Sequence, residues 1–209
     1  MHEKHKTCIL DINTISTSRG KSPASENYVD EAEGYALVVK SGSNISKQGG
    51  LITEGADWIE KAVYDSFVEQ AEKLNFNLNI VKPLDVLLSS TGDGTLGKCC
   101  VYDADHPAIA DGHVTIIRVD RSVVDPYYLC DYLRAGFGAV QINRLFTGST
   151  GMIELTPDQV NSIAVDLRSG LDEQRALSKK IRGLEKEYLD TLSKADGINL
   201  QALSVFKDL

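Results

Sequence analysis

Short apolar runs that end at glycine, proline or polar turn residues dominate the first 170 residues of the chain. Runs of this length that are rich in β-branched residues predict β-strands. The strands predicted in this way are GYALVVK (34–40), DVLLSS (85–90), CCVY (99–102), HVTIIRV (113–119) and IAVDL (163–167). The polar segment SGSNISKQGG (41–50) predicts a loop after the first strand. This part of the chain is therefore expected to be rich in β-structure.

Three segments of the same region carry helix signals. In WIEKAVYDSFVEQAEKL (58–74) apolar residues recur at a spacing of four, which is typical of one helix face. These residues are Ile59, Val63, Phe67 and Ala71. In DPYYLCDYLRAG (125–136) Asp125 is suited to cap a helix, Pro126 to its first turn and Gly136 to its end. Thr156 and Pro157 predict the start of a further short helical turn.

The longest predicted helix runs from Leu171 to about Ala195, with Gly197 as its expected end. Its apolar residues form one narrow face, called here the apolar seam. The apolar seam consists of Leu177, Ile181, Leu184, Tyr188 and Leu192. This spacing is typical of a helix in a two- or four-helix contact. A helix of about 25 residues is about 37 Å long, more than one globule of this size covers. Either the seam folds back on its own globule or a second copy of the chain covers it, and we expect the second.

Together these elements predict an α+β fold. A mixed, β-rich domain over residues 1–170 is followed by a helical region over residues 171–209 that contains a long amphipathic, coiled-coil-type helix. The length of 209 residues and the apolar share of 42% allow a sizeable core. No apolar run reaches the roughly 18 residues of a membrane span, and the first ten residues lack the apolar segment of a signal peptide. We therefore expect a cytoplasmic protein with no membrane contact.

The stretch GDGTLGK (92–98) matches two nucleotide-binding patterns, G-x-G-x-x-G and G-x-x-x-x-G-K. Both patterns require a helix directly after the glycines, because its N–H groups and dipole bind phosphate. A strand is predicted there instead, and Cys99 stands where a phosphate loop needs a Ser or Thr hydroxyl. We interpret the stretch as a connection between two strands, with Gly92, Gly94 and Gly97 at positions that need positive φ or close backbone approach.

No set of residues in the sequence predicts catalysis, a metal site or a bound cofactor. His106 and His113 lie near several aspartates and two cysteines, but no pair has the usual zinc spacing. Ser149 in TGSTG lacks the register of a nucleophile elbow. The four cysteines, Cys8, Cys99, Cys100 and Cys130, show no C-x-x-C spacing, so reduced and packed thiols are expected.

Four segments, in this order, resemble the specificity subunits of type I restriction-modification systems. They are YALVVKSGSNISKQGGLI (35–52), LDVLLSSTGDGTLGKCCVY (84–102), the region from ADGHVTIIR to NSIAVDL (110–167) and LDEQRALSKKIRGLEKEYLDTL (171–192). The first three are similar to parts of a target recognition domain of that family. The fourth is similar to the helical spacer that follows such a domain.

The resemblance implies a non-catalytic subunit that recognises double-stranded DNA for a DNA adenine methyltransferase or restriction complex. Members of the family usually carry two recognition domains and two antiparallel spacers, and they dock two methyltransferase subunits. This chain matches one domain and one spacer. It is therefore a half-subunit that forms a homodimer, a truncated product, or a relative that works with one methyltransferase. A protein-binding module on the same scaffold is the alternative function, and the net charge of −8 fits it.

Residues that contact DNA are not carried over from the family, because its recognition loops differ between members. Lys and Arg suit phosphates, while Arg, Lys, Asn and Gln suit base edges. The candidates that lie in or beside polar loops are Lys40, Lys47, Gln48, Lys98, Asn143 and Arg144. The residues expected to bind a partner helix or a second copy are those of the apolar seam.

Overall fold

The computed structural model describes residues 7–9, 15–73, 80–149, 151, 153–167 and 170–205, and it has the expected α+β fold. Of the residues 7–9, only the backbone is described. The strands are β1 (Thr7–Ile9), β2 (Ile15–Arg19), β3 (Tyr28–Val29), β4 (Ala36–Val39), β5 (Asp57–Ile59), β6 (Ile80–Val81), β7 (Val86–Ser89), β8 (Cys99–Val101), β9 (Ala108–Ala110), β10 (Val114–Val119) and β11 (Ala164–Asp166). The α-helices are α1 (Lys61–Lys73), α2 (Pro126–Arg134), α3 (Gly136–Leu145), α4 (Pro157–Asn161) and α5 (Leu171–Ser204).

Two sheets form the centre of the molecule. One is antiparallel, with the strand order β2-β10-β7-β8, and the other is mixed, with the order β3-β5-β4-β9-β6 and a parallel β4-β9 pair. Leu87 and Ile116 of the first sheet and Leu37 and Trp58 of the second belong to one buried cluster, so the sheets pack face to face. A separate pair of strands, β1 and β11, is antiparallel.

Helices cover the outer faces of both sheets. Phe67 of α1 is buried with Val38 and Ile109 of the mixed sheet. Leu129 of α2 and Ile142 of α3 belong to a cluster with strands β7, β8 and β10 of the antiparallel sheet. The central strands therefore lie between two apolar layers, which explains why they are apolar at every position instead of at alternate positions.

The two adjacent cysteines of β8 illustrate this arrangement. Cys99 lies in the cluster below α2 and α3, whereas Cys100 lies in the cluster between the sheets. Cys99, Cys100 and Cys130 are buried and unpaired, as expected, while the side chain of Cys8 lies outside the described part. Desolvation raises the pKa of the Cys99 and Cys100 thiols, so they stay protonated and serve as core residues.

The helix of residues 58–74 begins later than the sequence predicts. Trp58 and Ile59 belong to β5, and α1 starts at Lys61. Ile59 is fully buried with Phe67, so the same apolar cluster receives residues from a strand and from the helix that follows it. The spacing of four residues therefore correctly predicted that these side chains are buried together, but it did not predict where β5 ends and α1 begins.

The long helix extends further than predicted, because α5 continues through Gly197 to Ser204. A single glycine in an exposed helix costs about 1 kcal/mol relative to alanine, which lowers helix stability without ending the helix. The segment that follows, INLQALS (198–204), contains no proline. At 1.5 Å per residue, the 34 residues of α5 give a rod about 51 Å long.

Candidate nucleic-acid interface

The glycine loop (residues 90–98) is a tight connection between the antiparallel strands β7 and β8, as the sequence predicts. Gly92, Gly94 and Gly97 have φ values of 90°, 80° and 85°, which residues with a side chain rarely adopt. Strand β8 begins directly after Lys98, so no helix follows the glycines as both nucleotide-binding patterns require. The glycines therefore shape a turn and do not form a phosphate cradle.

The loop of residues 41–52 lies beside the glycine loop. Asn44 holds it, because its Oδ1 accepts a hydrogen bond from the backbone N–H of Lys40 and its Nδ2 donates one to the carbonyl of Ile52, both at 2.8 Å. Asn44 is buried, which makes these bonds hard for water to replace. The fixed loop leaves Lys47 exposed and Gln48 half-buried.

One contact joins the beginnings of these two loops, and another joins the glycine loop to α3. Ser89 Oγ, directly before the glycine loop, donates a hydrogen bond of 3.4 Å to the carbonyl of Ser41. A Cβ on Gly97 would lie 3.6 Å from Cγ2 of Ile142 in α3. The beginnings of the two loops are therefore adjacent, and α3 packs against the glycine loop.

Asn143 and Arg144 lie on α3 and are exposed. The sequence pattern does not predict this helix, although both residues are candidates by type. Phe137 and Val140, also on α3, are 76% and 45% exposed. The helix therefore presents a basic residue, an amide and two apolar side chains to solvent.

Lys40 differs from the other five candidates, because among the described residues it is the one whose charge has an acidic partner. Its Nζ lies 2.6 Å from Oδ2 of Asp57 and 4.5 Å from the ring centre of Tyr28. Partial burial disfavours the charged form, but the hydrogen bond and the charge of Asp57 outweigh it and raise the pKa of Lys40. Lys40 is therefore the candidate whose contact with a phosphate would need the largest rearrangement.

A buried ionic cluster, called here the joint, attaches α5 to α2. It consists of Asp131, Arg134, Ser178 and Glu185. Arg134 Nη2 lies 2.8 Å from Oδ1 of Asp131, and its Nη1 pairs with Glu185. Burial of Arg134 opposes its charge, but hydrogen bonds to Glu185 and Asp131 more than compensate and raise the pKa of Arg134.

The joint also touches the loop of residues 41–52. A Cβ on Gly49 would lie 2.7 Å from Nε of Arg134, a distance that only glycine permits without movement. Gly49 directly follows Gln48 and has a φ of 82°. One arginine therefore contacts the backbone of a candidate recognition loop and the middle of the long helix.

The apolar seam is not covered by its own globule. Leu177, Leu184, Tyr188 and Leu192 are each between 43% and 59% exposed, whereas Ile181 is half-buried. The helix meets the globule through buried Gln174 and Ser178 instead. Every residue from Lys186 to Val205 is exposed, so about 30 Å of helix extends past the joint.

Within the described residues, no group of three or more His, Cys, Asp or Glu side chains is placed to hold a metal ion. In the same part of the chain, no helix combines the length and the apolar character needed to cross a membrane.

Comparison with solved structures places this arrangement in a known fold. A chain from a type I restriction-modification system, solved to explain complex assembly and conformational transition, matches with a TM-score of 0.63 at 16% identity over 93% of this chain. The HsdS subunit from Thermoanaerobacter tengcongensis matches with a TM-score of 0.60 at 15% identity over 93%. The type I S subunit from M. genitalium matches with a TM-score of 0.57 at 12% identity over 96%.

These likenesses confirm, for the fold, the family resemblance read from the sequence: the chain has the fold of type I specificity subunits. It spans 41%, 40% and 44% of the length of those three chains. No protein-family model and no curated protein matches the sequence.

Proposed function

We propose that this protein is a DNA-recognition subunit of a type I-like restriction-modification complex. It reads one short DNA sequence and leaves methylation to a partner adenine methyltransferase. The observation that carries the proposal is the shared fold over 93% of the chain. The same scaffold in a named HsdS subunit supports a role in sequence specificity.

The candidate interface supports the same role on chemical grounds. Lys47 and Lys98 lie in neighbouring loops, and Asn143 and Arg144 lie on the helix packed against one of them. Lysines can neutralise phosphates, while an asparagine or arginine can read a base edge by paired hydrogen bonds. This local supply of cations allows a chain of net charge −8 to approach DNA.

We further propose that two copies of the chain pair antiparallel through the apolar seam. The occupant of the seam is a second copy, because four of its five residues are exposed in the single chain and an antiparallel pair covers both seams with one self-complementary surface. Antiparallel pairing places the two domains at opposite ends of a helix pair, as a single twofold interface allows. The helices of the pair then also present the docking surface for the methyltransferase.

Selection from a pool of random duplexes tests the function. The purified full chain, alone and with any methyltransferase with which it copurifies, is incubated with the pool, and the retained DNA is sequenced. Enrichment of a defined motif supports the proposal. Retention of all sequences equally, or of none in either preparation, contradicts it and favours the protein-binding alternative, which the acidic charge also fits.

A further inference from the structure

Helix α5 carries a second ordered face besides the apolar seam. Arg175, Lys179, Arg182 and Lys186 are spaced four, three and four residues apart, so they share one side of the helix. We call this face the basic stripe. Each of its members precedes a seam residue by two positions, which is a rotation of about 200° around the helix. A partner that covers the apolar seam therefore leaves the basic stripe accessible to solvent and to other ligands.

The basic stripe is confined to the part of α5 that is attached to the globule. The next position in the series, two residues before Leu192, is Asp190. The apolar seam continues to Leu192, beyond the end of the stripe. The positive charge on this face is therefore concentrated beside the recognition domain and does not continue along the rest of the helix.

The first three residues of the basic stripe line a cleft of about 330 Å³ between α5 and the start of α2, together with Asp125, Tyr127 and Ser178. Arg182 is held in place there, with its Cζ 3.5 Å from the ring centre of Tyr127. Arg175 has two loose acidic neighbours, Asp125 at 3.5 Å and Asp172 at 3.7 Å.

Lys179 and Lys186 are exposed, and in the described part of the chain no acidic group lies within ion-pair distance of either. They are two uncompensated charges at the middle and the end of the basic stripe. Of the four cations on this helix face, Arg175 and Arg182 have acidic neighbours within 4 Å, so the face is only partly neutralised and attracts anions in a protein of net charge −8.

The end of the basic stripe meets the candidate interface. Lys186 follows Glu185, which pairs with Arg134, and Arg134 touches the loop of Lys47 and Gln48 at Gly49. Arg175 and Lys186, the two ends of the stripe, are 11 positions or about 16.5 Å apart along the helix axis, close to the length of five base pairs at about 3.4 Å each. A straight duplex that reaches the loop can therefore follow the helix face.

We propose that the basic stripe binds the phosphate backbone of double-stranded DNA outside the sequence that the loops read. This inference rests on the proposed function. The side chains suit phosphates, because flexible lysines neutralise charge without selecting a base. The stripe adds affinity for any sequence and fixes the direction in which the duplex leaves the recognition domain.

The test compares two double variants of the full chain. Lys179→Ala with Lys186→Ala removes two charges from the basic stripe. Lys180→Ala with Lys194→Ala removes two exposed charges from other faces of α5 and is the matched control. Fluorescence anisotropy measures the affinity for the selected duplex and for a scrambled duplex from about 50 to 200 mM salt, the range over which phosphate contacts weaken most visibly.

We expect the stripe variant to bind both duplexes roughly tenfold more weakly at low salt, and its slope of log K against log salt to fall by about 2. The ratio between the two duplexes should not change. The control should keep most of the affinity and slope. Circular dichroism confirms that both variants remain helical.

Each other outcome overturns the inference in an identifiable way. Equal slopes for the two variants, with motif selection by the unchanged protein, reject the basic stripe and leave the proposed function intact. Normal DNA binding by the stripe variant with loss of a copurifying methyltransferase assigns the stripe to an acidic protein surface. Absence of duplex binding by the unchanged protein rejects both proposals.

Discussion

Ser178 Oγ donates a hydrogen bond of 2.5 Å to Oδ2 of Asp131, and both residues are 3% exposed. The bond joins α5 to α2 in the interior of the joint. The same carboxylate also binds Arg134 through its other oxygen, at 2.8 Å. A buried charge with this many partners specifies one arrangement, since any sliding of α5 along α2 leaves it unpaired. The carboxylate of Asp131 therefore fixes the position of α5 on α2 together with Gln174, whose Nε2 donates a hydrogen bond of 3.2 Å to the carbonyl of Val123.

The first prediction follows from that carboxylate. Asp131→Ala leaves buried Arg134 short of a partner and should lower the free energy of unfolding by about 3–5 kcal/mol. Ser178→Ala removes one bond to a charged acceptor and should cost about 1.5–3 kcal/mol. Urea unfolding followed by circular dichroism measures both. Ser193→Ala, an exposed serine of the same helix, is the control and should change stability by less than about 0.5 kcal/mol. A cost for Ser178→Ala no larger than the control would show that the joint is not formed.

The second prediction concerns pH. Desolvation raises the pKa of Asp111, which is 6% exposed and accepts a hydrogen bond of 2.9 Å from the backbone of His113. A folded-state pKa above the unfolded value favours the folded state at low pH and loses that contribution as pH rises through the folded pKa. Asp111→Asn keeps the acceptor without the charge. It should stabilise the protein at neutral pH by on the order of 1 kcal/mol or less, and the gain should shrink in acid.

The pKa of Asp120 is shifted in the opposite direction to that of Asp111, so it serves as the comparison in the same pH experiment. Hydrogen bonds from Ser122 lower its pKa, so its contribution is present at neutral pH and is lost as pH falls through the folded pKa. Urea midpoints between about pH 4 and 8 compare Asp111→Asn with Asp120→Asn. The two variants should shift stability in opposite directions at neutral pH. A shift of the same sign in both would contradict the assignment for Asp111.

The third prediction concerns the glycine loop. The loop has no helix after Lys98, so we expect no ATP or GTP binding with a Kd below about 1 mM, an affinity of about 4 kcal/mol. Titration calorimetry with magnesium nucleotide makes the measurement, and Lys98→Ala is the comparison. Micromolar binding by the unchanged protein that disappears in Lys98→Ala would overturn the structural interpretation of these glycines.

The sequence predicted the buried strands well because they lie between two apolar layers and are apolar throughout. It missed β2, whose residues ISTSR carry one large apolar side chain. That strand is specified by its partner β10, to which it pairs over five residues. Pairing between residues about 100 positions apart leaves no local signal.

The helix α3 was missed for a different physical reason. Its first residues, GFG, indicate a turn in isolation. In the structure a Cβ on Gly138 would lie 2.1 Å from the carbonyl of Tyr132, so this glycine permits α3 to pack against α2. The joint was also beyond prediction, because Asp131 and Ser178 are 47 residues apart. The six DNA-contact candidates rest on residue type and on a position in or beside a predicted polar loop, and the structure adds that Lys40 already has an ion-pair partner.

The fourth prediction distinguishes contact with a base edge from contact with a phosphate for the two candidate residues of α3. If Asn143 or Arg144 contacts a base edge, its change to Ala should cost about 1–3 kcal/mol at one position of the selected motif. A phosphate contact should instead weaken all sequences equally and reduce the salt dependence. Anisotropy titrations against a set of single-base variants of the motif distinguish the two roles. No effect from any of Lys47, Gln48, Lys98, Asn143 and Arg144 would place the DNA-binding surface elsewhere.

The fifth prediction concerns the homodimer. Leu184 and Tyr188 are 59% and 57% exposed in the single chain, so charges at these positions leave the globule untouched. In an antiparallel pair the same two residues lie near the centre of the contact, where an unpaired charge is expensive. Leu184→Asp with Tyr188→Asp should therefore convert a dimer into a folded monomer. Ile181 is less suitable because it is half-buried in its own chain.

The matched control for the dimer is Leu189→Asp with Leu200→Asp. Both leucines are exposed, and Leu189 lies about 100° around the helix from Tyr188, outside the apolar seam. Light scattering at micromolar concentration gives the mass of each protein. We expect a dimer for the unchanged protein and for the control, and a monomer for the seam variant. A monomer mass for the unchanged protein would reject the homodimer. A dimer that persists in the seam variant would move the interface to another surface, because two buried carboxylates in each chain cannot be accommodated in an apolar helix contact.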